Sequence, residues 1–231
     1  MREKSLEIEL KYALENAQQY EALIAHLESS SGEKATLLSQ INTFFDTDDF
    51  QLKQAGLILR LRSENDRFIL TAKGTAPADI SGDDTLACRF EEETEISAEQ
   101  ANDLMAAPKN PICLLENSDW PQEAQAQKNR VMLIGHLKTL THNKCFIRLG
   151  SFTNHRRVIP VTIGTTLFRF ECDATHFSST HTDHEVEIEL SNAEEAPLVQ
   201  QFVKDCFAKL NIRAKSAPGK AWRFFNQHQT T

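Results

Sequence analysis

Six segments of this chain carry charged or polar side chains at every second position: Glu7/Glu9/Lys11, Arg60/Arg62, Thr71/Lys73, Arg89/Glu91/Glu93, Glu171/Asp173 and Glu185/Glu187/Glu189. A spacing of two puts such residues on one side of an extended strand. The positions between them are apolar or mixed, as with Leu6, Ile8 and Leu10 in the first segment and Val186, Ile188 and Leu190 in the last. The chain must therefore build sheet with one face to bury and one face crowded with charge. An ordinary solvated face mixes Thr, Ser, Lys and Gln; here Glu and Arg predominate, grouped by sign along separate strands. Carboxylates ligate hard divalent cations that share substrate phosphates, and Arg forks hold phosphate oxygens in pairs. The combination suits a polyanion bound through metal.

The rest of the pattern surrounds these strands with a few helices. Tyr20, Leu23, Ile24 and Leu27 recur at helical spacing within residues 14–29, and Gly32 follows as a stop. Residues 33–47 read as extended, and 48–56 as a turn or short helix. The stretch from Leu57 to Lys73, with SENDR between its arms, predicts a β-hairpin. Ser97 and Gln100 form a capping-box signature opening a helix to about residue 107. Residues 108–127, with Pro108, Pro111 and Pro121, read as a linker between two halves of one domain spanning 1–231. A short helix and a strand follow, then strands broken at Gly164, the strand HEVEIEL, a helix over 194–210 and a basic, aromatic end. Strands joined by hairpins favour an α+β fold with an antiparallel sheet, and about eight strands favour closure into a barrel, which removes edges.

Composition narrows the class. The chain has 231 residues, 40% hydrophobic and 25% charged, enough for a core without disulfides. Five widely spaced cysteines with no C-x-x-C pair read as reduced thiols of a cytoplasmic protein. The apolar runs are too short for a membrane span, and the opening residues carry no secretory apolar core. A net charge of −8 argues against nucleic acid as partner. The phosphate-loop, nucleophile-elbow and H-E-x-x-H patterns are absent. His176, His181 and His184 with Asp183 match no common zinc spacing and read as a polar loop.

In their order along the chain these segments resemble the CYTH superfamily, the triphosphate tunnel metalloenzymes. Glu7-x-Glu9-x-Lys11 resembles its E-x-E-x-K signature, and FFDT followed by Arg60-x-Arg62 resembles its Y-F-D-T and R-x-R segments. FILTAKG, CRFEEE, FECD, VEIEL and GKAWR resemble its later motifs, with Gly219 where the last has Ser. The resemblance covers essentially the whole chain and lies closest to the CYTH portion of bacterial inorganic triphosphatases. It implies an antiparallel eight-stranded barrel with helices outside, and hydrolysis of a small-molecule triphosphate with Mg²⁺ or Mn²⁺. It implies metal ligands among Glu7, Glu9, Glu185, Glu187 and Glu189, and substrate contacts from Arg60, Arg62, Lys73, Arg89, Arg148, Lys220 and Arg223. Lys11, Glu91, Glu93 and Asp173 are the implied catalytic or metal-shell groups. The same residues suit a class IV adenylate cyclase, and a non-catalytic polyphosphate-binding module is the alternative from another class. A monomer or homodimer is expected.

Overall fold

The computed structural model describes residues 6–75, 85–107, 111–117, 124–142 and 144–227. Its strands are β1 (Leu6–Leu14), β2 (Thr36–Thr47), β3 (Ile58–Glu64), β4 (Arg67–Thr75), β5 (Leu86–Ile96), β6 (Phe146–Ile163), β7 (Thr166–His176) and β8 (Thr182–Leu190). The helices are α1 (Ala17–Ser31), α2 (Gln51–Gln54), α3 (Ala98–Ala106), α4 (Ile112–Glu116), α5 (Ala124–Thr141), α6 (Ala196–Leu210) and α7 (Lys220–Gln227). The strands hydrogen-bond in the order β1-β5-β4-β3-β2-β6-β7-β8, and that order closes on itself as an antiparallel eight-stranded barrel. The fold is α+β, as the hairpin-rich pattern predicts.

By contacts the chain divides into two compact units. One comprises 1–7, 40–79 and 88–151. In it β3 pairs with β2 and β4, and β4 with β5. Leu59, Leu61, Leu70 and Ala72 lie on the apolar face of this sheet. They are buried with Leu52 of α2, Ala101 and Leu104 of α3, Ile112 and Leu115 of α4, and Leu133, Ile134 and Leu137 of α5. The β3–β4 connection turns at Asn65, which adopts a left-handed conformation (φ 54°), as the SENDR turn predicts. α3 opens on the expected capping box, with Ser97 accepting from the Gln100 amide at 3.1 Å and Gln100 accepting from the Ser97 amide at 2.8 Å.

The other unit comprises 8–39, 80–87 and 152–231. β1 pairs with β8, β8 with β7 and β7 with β6. Cross-strand register lines up Leu10, Ile188, Phe170 and Ile159 in one apolar row, each no more than 1% exposed. Burying each such side chain is worth about 1.5–3 kcal/mol. α1 covers this face with the four residues its periodicity marked, Tyr20, Leu23, Ile24 and Leu27, and ends on Gly32 in the left-handed conformation (φ 73°). α6 adds Val199, Val203 and Phe207.

Two expectations change in detail. The helix before β6 is not short: α5 runs 18 residues and begins at Ala124, inside the stretch that reads as linker. The described part of that stretch also holds α4. Gly164 does mark a break, as a left-handed turn (φ 62°) between β6 and β7. Ile8 and Leu10 pack as expected, whereas the side chain of Leu6 lies outside the described residues.

Candidate active site

With the apolar rows buried, alternation delivers the charged rows together on the other face of each sheet. In the second unit the register places Lys11 opposite Glu187, Glu187 opposite Glu171, Glu185 opposite Asp173, and Asp173 opposite Arg156. The Lys11 ammonium lies 2.9 Å from Glu9 and 2.7 Å from Glu187. The Arg156 guanidinium reaches Asp173 at 2.6 Å and Glu187 at 2.7 Å, and also contacts Glu171. Lys220, the first residue of α7, lies 2.8 Å from both Asp173 and Glu187 and also touches Glu185. Arg223, one helical turn on, clamps Asp183 and Glu185. Asp173 and Glu185 are fully buried, and one oxygen from each of Asp173, Glu185 and Glu187 lies within 4.8 Å of the others.

Burial alone would raise the Asp173 and Glu187 carboxyls. The surrounding cations reverse this: Arg156 and Lys220 hold Asp173 below the usual range, while Lys11, Lys220 and Arg156 hold Glu187 well below it. The same carboxylates keep Lys220 charged against the penalty of its burial. Asp173 is also fixed from behind. Its Oδ1 accepts from Asn154 Nδ2 at 2.9 Å, and Asn154 Oδ1 accepts from the Thr175 hydroxyl at 2.8 Å. Asp173 and Glu187, held ionised, stand with Glu185 at a spacing that forms a donor set fit for a small hard cation.

The first unit carries its own cluster. β3–β4–β5 register sets Arg60 opposite Thr71, Thr71 opposite Glu93 and Lys73 opposite Glu91. The Lys73 ammonium bridges Glu7 at 3.0 Å and Glu91 at 2.8 Å. Thr71 links Arg60 and Glu93, accepting from the Arg60 guanidinium and donating to Glu93, each at 3.1 Å. Burial raises the Glu91 carboxyl to about 8, with neighbouring Glu7 adding to it against the pull of Lys73. Arg62 and Arg60 hold Glu93 down against burial, and burial lowers Arg60 to about 10. Among the described residues, Arg60, Arg62 and Arg223 each hold a buried Nε without a hydrogen-bond partner, donors suited to an oxyanion.

The CYTH domain family model matches residues 5–225. The chain belongs to the CYTH family. No curated protein matches it in sequence. Among solved structures it is similar to HpAC1 from Hippeastrum, a protein with a dominant triphosphatase activity, at 23% identity and a TM-score of 0.72 over 96% of each chain. A Bacillus halodurans protein assigned as an adenylate cyclase matches at 20% identity and TM-score 0.58, over 96% of this chain and 100% of its own. The PH1819 protein of Pyrococcus horikoshii matches at 12% and 0.53, over 95% and 99%. At these identities the likeness extends to the CYTH fold.

Most residues singled out in the CYTH sequence thus fall into one of the two clusters. Glu189 stands opposite Glu9 in the β1–β8 register, half-buried, and Arg89 stands half-buried on β5 opposite Thr75. Arg148 is exposed on β6 and is brought into neither cluster. Sequence reasoning assigned no site role to Arg156, Asn154 or Glu171, although Glu171 stands in one of the charged rows. The signal was present for Arg156: Ile159, Val161 and Ile163 are buried in the apolar core, so even-numbered positions on this strand turn to the charged side. The histidine segment forms local polar contacts, His181 with Asp183 and His176 with Thr182, each at 2.8 Å. No described helix is long and apolar enough to cross a membrane.

Proposed function

We propose that this CYTH protein is a metal-dependent triphosphatase that hydrolyses inorganic triphosphate, or a closely related triphosphate compound, to phosphate and the diphosphate product. The observation carrying this reading is the buried triad of Asp173, Glu185 and Glu187, three carboxylates whose oxygens lie within 4.8 Å and are interleaved with Lys11, Arg156 and Lys220. The dominant triphosphatase activity of HpAC1 supports it. Asp173, Glu185 and Glu187, together with Glu9 and Glu189 of the same unit, would hold Mg²⁺ or Mn²⁺. When bound, the metal neutralises phosphate charge and acidifies the attacking water.

The chain's own residues supply position and charge, which carry most of the acceleration in phosphoryl transfer. In the first unit Arg60 and Arg62 suit phosphate oxygens in the bidentate manner of guanidinium, with Lys73 and Arg89 as further contacts; in the second unit Lys220 and Arg223 are the phosphate-binding cations. Lys11, anchored between two carboxylates, offers its ammonium to the oxygens of the phosphoryl group being transferred. Arg156 and Asn154 orient Asp173. Glu91, raised to about 8, holds a proton at neutral pH and donates a hydrogen bond where an ionised carboxylate would repel the substrate.

Incubation with inorganic triphosphate, thiamine triphosphate or ATP, with Mg²⁺ or Mn²⁺ and chromatography of the products, tests this function. The expected result is phosphate plus pyrophosphate from inorganic triphosphate, and slower release of ADP and phosphate from ATP. Cyclic AMP and pyrophosphate from ATP, with inorganic triphosphate left intact, would establish a cyclase instead. Binding of polyphosphate without turnover under any metal would establish a binding module.

A further inference from the structure

Lys220 stands in a position no other described cation shares. Its ammonium contacts all three members of the acidic triad: Asp173 Oδ2 at 2.8 Å, Glu187 Oε1 at 2.8 Å, and Glu185 Oε1. Arg156 contacts two members of the triad; Lys11 touches Glu187 alone, and Arg223 touches Glu185 alone. An ammonium and a divalent ion cannot both stand among three oxygens that lie within 4.8 Å of one another. We propose that Lys220 is the resident cation of this triad in the substrate-free protein, and that a divalent metal gains the triad only by displacing it. The inference rests on the metal-binding reading of the triad given above.

The chemistry of the two cations makes the exchange feasible. Buried carboxylates cost several kcal/mol each in desolvation, and Arg156, Lys11 and Arg223 also serve Glu171, Glu9 and Asp183, so the triad draws a further cation before any metal arrives. Lysine is suited to the task because its charge is compact, its stem is flexible and its three donors match three oxygens. Its side chain is 14% exposed, so it is not sealed from solvent. The helix that carries it stays in place by other means. Phe224 is 1% exposed and packs against Phe152, Ala221 is buried, and Arg223 holds Asp183 and Glu185. Loading of metal is thus an exchange of ion partners at a fixed helix. The substrate-free affinity is set below that of the same carboxylates without their lysine.

Calorimetric titration of Mn²⁺ into the substrate-free full chain, wild type against Lys220→Gln, tests this. The glutamine keeps the length and polarity of the side chain and removes the charge. The expected result is at least about tenfold tighter Mn²⁺ binding by Lys220→Gln, within the usual range of couplings between two ligands. Equal affinities, or weaker binding by the variant, would overturn the exchange while leaving the metal site standing. No Mn²⁺ binding by either protein would overturn the exchange and the metal reading of the triad together. A measurement on the unmutated side chain covers the case in which Lys220→Gln fails to fold. With ¹⁵N-labelled lysine side chains, and Lys220 assigned from Lys220→Arg, its Nζ resonance moves to the position of a solvent-exposed lysine as Mg²⁺ is added. A resonance that stays fixed while Mg²⁺ saturates the protein would contradict the proposal.

Discussion

Lys11 and Glu187 face each other across the β1–β8 ladder, and the Lys11 ammonium sits 2.7 Å from Glu187 and 2.9 Å from Glu9. Lys11 is 8% exposed and both carboxylates 9% at the side chain, so water screens little of what happens among them. Lys11→Met keeps the stem and removes the charge, leaving two buried carboxylates short of a cation. Stability should fall by about 3–5 kcal/mol, the usual consequence of breaking a buried pair from one side. Urea unfolding of the substrate-free protein measures this. A loss under 1 kcal/mol, the range of a surface ion pair, would mean that the pair is solvated in solution.

Glu7→Gln with Glu9→Gln separates the chemistry of β1 from its structural role. The apolar side of the strand, with Leu10 and Tyr12 in the core, is untouched, so circular dichroism and cooperative unfolding should be retained. Phosphate release from inorganic triphosphate at saturating Mn²⁺ should fall by about 10³-fold or more, the scale of removing groups that hold a catalytic charge in place. Unchanged turnover would remove both residues from the site.

Burial holds the Glu91 carboxyl at about 8 and the Glu92 carboxyl, on the opposite face of β5, at about 7, both up from 4.5. Each therefore takes up a proton on folding. Their neutral forms cost the native state nothing below pH 4.5, and stability is lost as pH rises from there through about 8. Each group contributes at most about 1.4 kcal/mol per pH unit within its own window. Asp173 and Glu187 act in the opposite sense, and only in acid, because they are held low. Denaturant unfolding between pH 5 and 8.5 should show stability declining with pH, and Glu91→Gln should flatten the slope by about one proton. Parallel slopes for the two proteins would mean that Glu91 is ionised at neutral pH.

Much of this was legible from periodicity because the deciding forces are local. Tyr20, Leu23, Ile24 and Leu27 are three and four apart, and a helix buries such a set whatever its partner. Leu59 and Leu61 alternate with Arg60 and Arg62, so the hairpin's faces follow from chain geometry alone. What stayed hidden depends on long-range register. The sequence puts Asp173, Glu185 and Lys220 on separate elements, but only the β7–β8 pairing and the placement of α7 set the ammonium among the carboxylates. The start of α5 was hidden for another reason. Its buried residues Leu133, Ile134 and Leu137 lie in its second half, and the polar AQAQKN before them carries no apolar period to read.

α7 depends on a residue outside the charged cluster. Phe224 is 1% exposed, with Phe152 at 5.8 Å between ring centroids. Phe224→Ala should cost about 3–5 kcal/mol. It should also weaken binding of inorganic triphosphate, because the helix that places Lys220 and Arg223 loses its anchor. Equilibrium binding at a temperature where the variant remains folded separates the two effects. Wild-type affinity in a folded Phe224→Ala protein would mean that the ion pairs alone hold α7.

Asp46 makes the last case, because it lies in the FFDT segment, whose resemblance to a family motif raises the question whether its carboxylate serves the chemistry. Its surroundings assign it a different task. The side chain is 2% exposed, and its Oδ1 accepts from the amides of Thr47 at 2.7 Å and Leu52 at 2.8 Å. Its Oδ2 accepts from the amide of Lys53 at 2.9 Å. Both oxygens are used by backbone donors that tie the end of β2 to α2, and Leu52 of that helix is in the core. Asp46→Asn would turn an amide NH₂ toward one of those donors, leaving two donors facing and one backbone N–H without an acceptor. The expected cost is about 1–3 kcal/mol. Phosphate release per folded molecule should stay within about twofold of wild type, a change of roughly 0.4 kcal/mol in the barrier. If turnover instead drops by orders of magnitude while stability is unchanged, Asp46 belongs to the chemistry rather than to the scaffold that holds it.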